Sequence, residues 1–141
     1  MRLIQDSDRQ AIARQFEDLD RPVKIVNFTQ ELECQYCKET SQLIKEISDI
    51  SDKVTSEVYN FVTDKEQTEK YKIEQIPATV MMGEDDRGIR FYGIPSGYEF
   101  ATVLETIKMI SLGDSGLSKA TKDFLKELKQ PVNLKIFVTP T

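Results

Sequence analysis

Apolar residues recur along the chain at two spacings, and the changes of spacing mark out its elements. Ile12, Phe16 and Leu19 share one face at helical spacing, and Ser7 with Gln10 has the form of a capping box. Residues 6–19 are therefore predicted to be a helix, ended by Pro22. VKIVNF (23–28) is nearly all apolar, which predicts a central strand covered on both faces. After a short loop, TQELE, comes CQYC (34–37). Leu43, Ile44, Ile47 and Ile50 then fall at helical spacing, so CQYC opens a helix of about three to four turns. KVTSEVYNFV (53–62) is predicted as a strand and DKEQTEKYK (64–72) as a polar helix. Ile76-Pro77 leads into a short strand, ATVMM. The turn GEDDRG (83–88) and the strand IRFY (89–92) complete a hairpin. Ser96 and Glu99 have the form of a second capping box. Phe100, Val103, Leu104, Ile107 and Ile110 give the helix behind it an apolar stripe. The order is helix, strand, helix, strand, helix, strand, strand, helix, an α/β pattern.

SLGDSGLS (111–118) has the Gly and Ser punctuation of a linker. Beyond it the chain repeats itself. Leu19-Asp20-Arg21-Pro22-Val23 leads from the first helix into the first strand. Leu128-Lys129-Gln130-Pro131-Val132 does the same after a helix carrying Phe124, Leu125 and Leu128. Both continue into β-rich runs, VKIVNFT and VNLKIFVT. This predicts a thiol-bearing unit over 1–112, followed over 113–141 by a linker and the opening of a second copy that stops at Thr141. The alternative is a C-terminal helix and edge strand belonging to one domain.

The chain has 141 residues, 39% of them hydrophobic and 30% charged, which is the composition of a soluble globular protein with a sizeable core. Its net charge of −5 argues against nucleic acid, whose phosphates need a basic patch. No apolar run approaches the roughly 20 residues of a membrane span. The opening MRLIQDSDRQ lacks the apolar core of a signal peptide, so a cytoplasmic location is expected.

Cys34 and Cys37 are the only cysteines, and there is no histidine. A thiolate, not a thiol, attacks a disulfide. A helix N-terminus favours the thiolate, because unpaired N–H groups and the helix dipole stabilise negative charge there. The reading places Cys34 where the chain enters the helix and Cys37 one turn inside, with their sulfurs close enough to bond. Cys34 is then the attacking thiolate and Cys37 the resolving thiol. Gln35 and Tyr36 set the backbone between them, and Glu31, Glu33 and Glu39 oppose ionisation if they lie near. Zinc would need about four ligands, commonly Cys or His, and is not expected. A structural disulfide closing a two-residue loop stabilises little. Two inert core cysteines remain the plain alternative to dithiol–disulfide exchange.

Pro77, just before a strand, lacks the N–H that a ladder needs and belongs at a strand start or bend. It is either an ordinary trans proline or a cis proline packed beside CQYC. In the second case the Ile76 backbone would be open to pair with an incoming peptide.

CQYC at a strand-to-helix junction and Ile76-Pro77-Ala78-Thr79 before a strand resemble the thioredoxin/glutaredoxin superfamily. FYGIPSGYEF (91–100) and KIFVTPT (135–141) further resemble the glutaredoxin-like protein disulfide oxidoreductases, which carry two thioredoxin-fold units in tandem. The resemblance implies a central mixed sheet of about four strands flanked by helices, plus a C-terminal helix and strand. It implies Cys34 as nucleophile, Cys37 as its partner, Pro77 as the cis-proline, and a substrate site of Gln35, Tyr36, Ile76 and Pro77. The substrates would be protein disulfides or dithiols, recharging would fall to a flavoprotein reductase or a small thiol, and no metal or bound cofactor is required. Three departures stand out. A second CxxC is absent, Tyr98 sits where relatives can have His, and Asn27 lies on the strand where thioredoxins can bury a carboxylate. The competing expectation is a non-catalytic docking domain, such as the N-terminal domain of the alkyl hydroperoxide reductase flavoprotein subunit, whose first unit commonly lacks cysteines.

Overall fold

A computed structural model describes residues 1–139. Nine elements follow in order: α1 (Asp6–Gln15), β1 (Val23–Thr29), α2 (Cys37–Ser48), β2 (Val54–Asn60), α3 (Lys65–Lys70), β3 (Ala78–Met82), β4 (Ile89–Tyr92), α4 (Tyr98–Leu112) and α5 (Lys119–Lys126). The strands form one mixed sheet in the order β2-β1-β3-β4. β1 runs parallel to β2 with Val23 opposite Val54, and antiparallel to β3 with Phe28 opposite Ala78. β3 and β4 pair antiparallel, Ala78 opposite Tyr92.

β1 is apolar on both faces because it is central. Val23 and Ile25 pack in the larger core with Ile12, Phe16, Leu43, Ile44, Ile47, Val103, Leu104 and Ile107, contributed by α1, α2, α4 and the residues around them. Val26 and Phe28 point the other way, against Tyr71 and Ile73 just past α3. This alternation follows from the two-residue period of a strand.

Several boundaries differ from the sequence pattern. α1 starts at Asp6 with Gln5 as its uncapped N-cap, so Ser7 lies inside the first turn and makes no capping box. Asp6 and Asp8 suit that end of the helix by charge instead. α1 also stops at Gln15, yet Phe16 and Leu19 stay buried because turns after the helix fold them back. α4 has Gly97 as its N-cap, at φ +61, with no side-chain cap, so Glu99 is its second residue and not the third that a box requires. β2 ends at Asn60 because the Asn60 side-chain oxygen accepts from the N–H groups of Val62 and Thr63. α3 is shorter than 64–72 and ends before Lys72, at φ +55.

The expected C-terminal strand is not formed. α5 is capped by the Ser118 hydroxyl, which accepts from Thr121 N–H at 3.2 Å, but it buries no residue. Residues 132–138 form no strand of the sheet, and Leu134, Ile136 and Phe137 stand exposed. Strand propensity alone does not make a strand; the ladder needs a partner. Pro140 and Thr141, the end of KIFVTPT, lie outside the described residues. No helix among the described residues is long and apolar enough to cross a membrane.

Candidate functional site

The sheet brings four connections to one end. β1 and β2 are parallel and both finish there, β3 starts there, and β4 finishes there. Residues 30–36, 61–64, 73–77 and 93–97 therefore crowd the same rim, which carries both CQYC and Ile76-Pro77. Gly93 N–H donates to the Pro77 carbonyl at 2.9 Å and ties the last of these connections to the third.

Cys34 and Cys37 are joined by a disulfide, with Cα atoms 5.6 Å apart. Cys34 is partly exposed, whereas Cys37 is sealed at 1% exposure. α2 begins at Cys37 itself, so Cys37 is not one turn inside the helix and Cys34 lies three residues ahead of it. The sequence reading set this register wrongly because a reverse turn at Gln35-Tyr36 spans the same three-residue separation as a helical turn. The electrostatic setting survives the correction. The first backbone bond of α2 runs from Thr40 N–H to the Tyr36 carbonyl at 2.9 Å, which leaves the N–H groups of Cys37, Lys38 and Glu39 without helical acceptors. The Thr40 hydroxyl donates to the same carbonyl at 2.6 Å and pins the turn.

Gln35 and Tyr36 face solvent between the cysteines, Tyr36 being 46% exposed. The Ile76–Pro77 peptide is cis, with Pro77 buried and Ile76 partly so. Tyr98 lies at the start of α4 and is 89% exposed. Its neighbour Glu99 is partly buried, and that burial pushes its carboxyl above the usual range. Among the described residues no cluster of three or more His, Cys, Asp or Glu could hold a metal.

Asn27 is fully buried on β1 and bonded on both sides of its amide. Its NH2 group donates to the Ala78 carbonyl at 3.1 Å, and its side-chain oxygen accepts from the Ser41 hydroxyl at 2.6 Å. One side chain thus links β1, the residue after Pro77, and the second turn of α2. Thr79, opposite Asn27 in the ladder, buries a hydroxyl with no partner among the described residues. The sequence reading singled out Asn27 but missed Ser41, Thr40 and Thr79. A lone amide inside an apolar strand was the available signal, since such a group needs partners. Glu33 bears on the site through its backbone as well as its charge. It occupies the left-handed region at φ +57, which costs a non-glycine residue on the order of 1 kcal/mol, immediately before Cys34.

Comparison with known proteins follows the same lines. The chain resembles the protein disulfide oxidoreductase of Aeropyrum pernix at 26% identity and a TM-score of 0.83, over 89% of this chain and 56% of that one. It shares the fold of the NTD_N/C domain of alkylhydroperoxide reductase AhpF from Enterococcus faecalis, at 23% identity and a TM-score of 0.75, over 84% of this chain and 58% of that one. Oxidised thioredoxin of Plasmodium falciparum shares the fold more distantly, at 19% identity and a TM-score of 0.53, over 74% of this chain and 92% of that one. The chain thus spans less than two thirds of the first two structures. A comparison with curated proteins gives no match. Residues 22–105, more than half the chain and the whole of the sheet with its cysteine pair, match the thioredoxin domain, and the chain belongs to that family.

Proposed function

We propose that this chain is a thiol–disulfide oxidoreductase unit that exchanges disulfides with protein substrates through Cys34 and Cys37. The observation that carries the reading is a bonded cysteine pair straddling the surface, Cys34 reachable and Cys37 sealed, at the unpaired N–H groups of α2. In the reduced chain the Cys34 thiolate attacks one sulfur of a substrate disulfide. A bond forms between Cys34 Sγ and that sulfur, the substrate S–S bond breaks, and the other substrate sulfur leaves and takes up a proton. Cys37, deprotonated in turn, attacks Cys34 Sγ. The mixed disulfide breaks, the second substrate sulfur leaves and is protonated, and the Cys34–Cys37 bond is restored. Two electrons and two protons pass to the substrate, and with a dithiol substrate the steps reverse according to the difference in potential.

Gln35, Tyr36, Ile76 and Pro77 would contact the substrate around the attacked sulfur. A flavoprotein reductase or a small thiol would recharge the pair, and a cytoplasmic location, where thiols are kept reduced, would suit that role. The test is insulin reduction driven by dithiothreitol. Wild type should exceed dithiothreitol alone, and Cys34→Ser should not. Equal rates for the two proteins would remove Cys34 from the mechanism.

We also read residues 1–112 as the working unit and 113–141 as a linker and the opening of a second unit. The exposed run Val132, Leu134, Ile136, Phe137 supports this, since apolar side chains at that density call for a cover. Size-exclusion chromatography at two concentrations tests it: an uncovered run should drive concentration-dependent association. The fold shared with the AhpF domain favours a second reading, a docking module without exchange chemistry. Slow alkylation of Cys34 with an apparent pKa near the unperturbed ~8.5 would favour that reading.

A further inference from the structure

The rim around the disulfide has a shape and a charge that the exchange reading does not use. Two residues ahead of Cys34 the chain borders a groove of about 240 Å³, lined by Gln30, Glu31, Leu32, Asn60, Val62 and Thr63. Leu32 is 76% exposed and Val62 53% exposed, and both offer apolar surface there. Residues 30–36, 61–64, 73–77 and 93–97 carry Glu31, Glu33, Asp64 and Glu74 and no Lys or Arg, with Lys65 and Lys72 just outside these segments. Glu31, Glu33 and Glu39 are exposed and form no ion pair among the described residues. Lys38, the residue after Cys37, is the cation next to the pair in sequence. Glu33, with its backbone in the left-handed region, carries one of these carboxylates on the residue immediately before Cys34.

We propose that the groove beside Cys34 takes an extended polypeptide segment with an apolar side chain in the Leu32–Val62 cleft and Lys or Arg next to its cysteine, and that anionic disulfides are disfavoured. The proposal rests on the exchange reading of Cys34 and Cys37 and names its substrate class. Uncompensated carboxylates attract a cationic segment during encounter and repel an anionic one, and the gap between the two closes as salt screens them. Glutathione disulfide, a small molecule rich in carboxylates, would meet this repulsion, with Lys38 alone next to the cysteines in sequence to offset it.

The test uses three disulfide-linked peptides that differ only in the residues flanking cysteine: Lys and Leu, Glu and Leu, or Lys and Gly. Second-order rates with the dithiothreitol-reduced protein are read by stopped flow. At low ionic strength the Lys-Leu peptide should react on the order of tenfold faster than the Glu-Leu peptide, and 0.5 M salt should shrink that ratio severalfold. Glu31→Gln with Glu33→Gln should shrink the same ratio at low salt. The ratio is insensitive to any change in Cys34 ionisation, because both peptides meet the same thiolate. Leu32→Ser should cut the advantage of Lys-Leu over Lys-Gly. Rates that ignore the flanking charge, or favour the Glu peptide, overturn the inference and leave the exchange reading standing. No reaction with any peptide overturns both.

Discussion

Replacing Asn27 by Ala tests whether one buried amide fastens the cysteine-bearing helix to the sheet. The substitution removes two hydrogen bonds and leaves the half-buried Ser41 hydroxyl without its acceptor, while the Ala78 carbonyl keeps its place opposite Phe28 in the β1–β3 ladder. A neutral hydrogen bond contributes about 1 kcal/mol net, and a buried group left unpaired costs about 1–3 kcal/mol. Much of that cost is relieved where Ser41 turns toward solvent, so the expected loss is about 2–3 kcal/mol. Ser41→Ala strands only the Asn27 oxygen and should cost about 1–2 kcal/mol. The two side chains share one bond, so the double variant should be less destabilised than the sum of the singles, by about 1 kcal/mol. Urea unfolding of the oxidised protein reads all three. With a slope of about 1–3 kcal/mol per molar, Asn27→Ala should lower the midpoint by roughly 1–2 M. A loss under 0.5 kcal/mol for Asn27→Ala, or strict additivity in the cycle, would show that the amide is a passenger.

Four further outcomes are expected. Thr79→Val replaces a buried hydroxyl that has no partner among the described residues with a methyl of the same shape and should raise stability by about 1 kcal/mol in urea unfolding; a loss of that size would mean the hydroxyl is paired. Burial pushes the Glu46 carboxyl up, but the N–H groups of Ile4 and Leu3, the Gln42 amide and Arg2 outweigh it and hold the group below its ordinary 4.5. A depressed acid stabilises the fold above its unfolded pKa and loses that contribution as pH falls through the folded value. The unfolding midpoint of Glu46→Gln should therefore fall less than that of wild type between pH 6 and pH 3, and parallel curves would refute the clamp. Gly113 ends α4 at φ +69 with Arg21 2.9 Å from where a Cβ would stand, so Gly113→Ala should cost about 1 kcal/mol, and a neutral result would show that the end rebuilds. Phe137 is 91% exposed, so Phe137→Ser should change the unfolding free energy of dilute protein by less than about 0.5 kcal/mol, whereas a core strand would lose about 3 kcal/mol.

How far the sequence could be read varied with how local the cause was. β3 and β4 fall where the pattern puts them, Ala78–Met82 and Ile89–Tyr92, because a proline and an acidic, glycine-ended turn bracket them within the chain itself. The helix starts were harder. Ser7-to-Gln10 and Ser96-to-Glu99 both have capping spacing, but Gln5 and Gly97 took the N-cap positions. Spacing alone does not reveal which residue adopts the non-helical backbone. At β2 the apolar run continues through Phe61 and Val62, and only the capture of two N–H groups by Asn60 ends the strand. The run at 132–138 reads as a strand for the same local reasons as β1, and it fails because a ladder partner is a property of the surroundings.

The same distinction applies at the cysteine pair. CQYC lies at a strand-to-helix junction, as the pattern of apolar residues indicates, but spacing does not fix how α2 sits over β1. Leu43, Ile44 and Ile47 give α2 its apolar face, and apolar packing is undirected: shifting the helix by one turn would keep much of that contact. The Ser41–Asn27 bond would not survive such a shift, because it needs one oxygen within 2.6 Å of another. That bond is four residues from Cys37, and the other side of the same amide holds the residue after Pro77. The apolar face thus supplies the attraction and the buried amide sets the register, which is why a polar residue occupies the middle of an otherwise apolar strand. Its partners come from α2 and β3, 14 and 51 residues away, and no window of sequence around Asn27 contains the second.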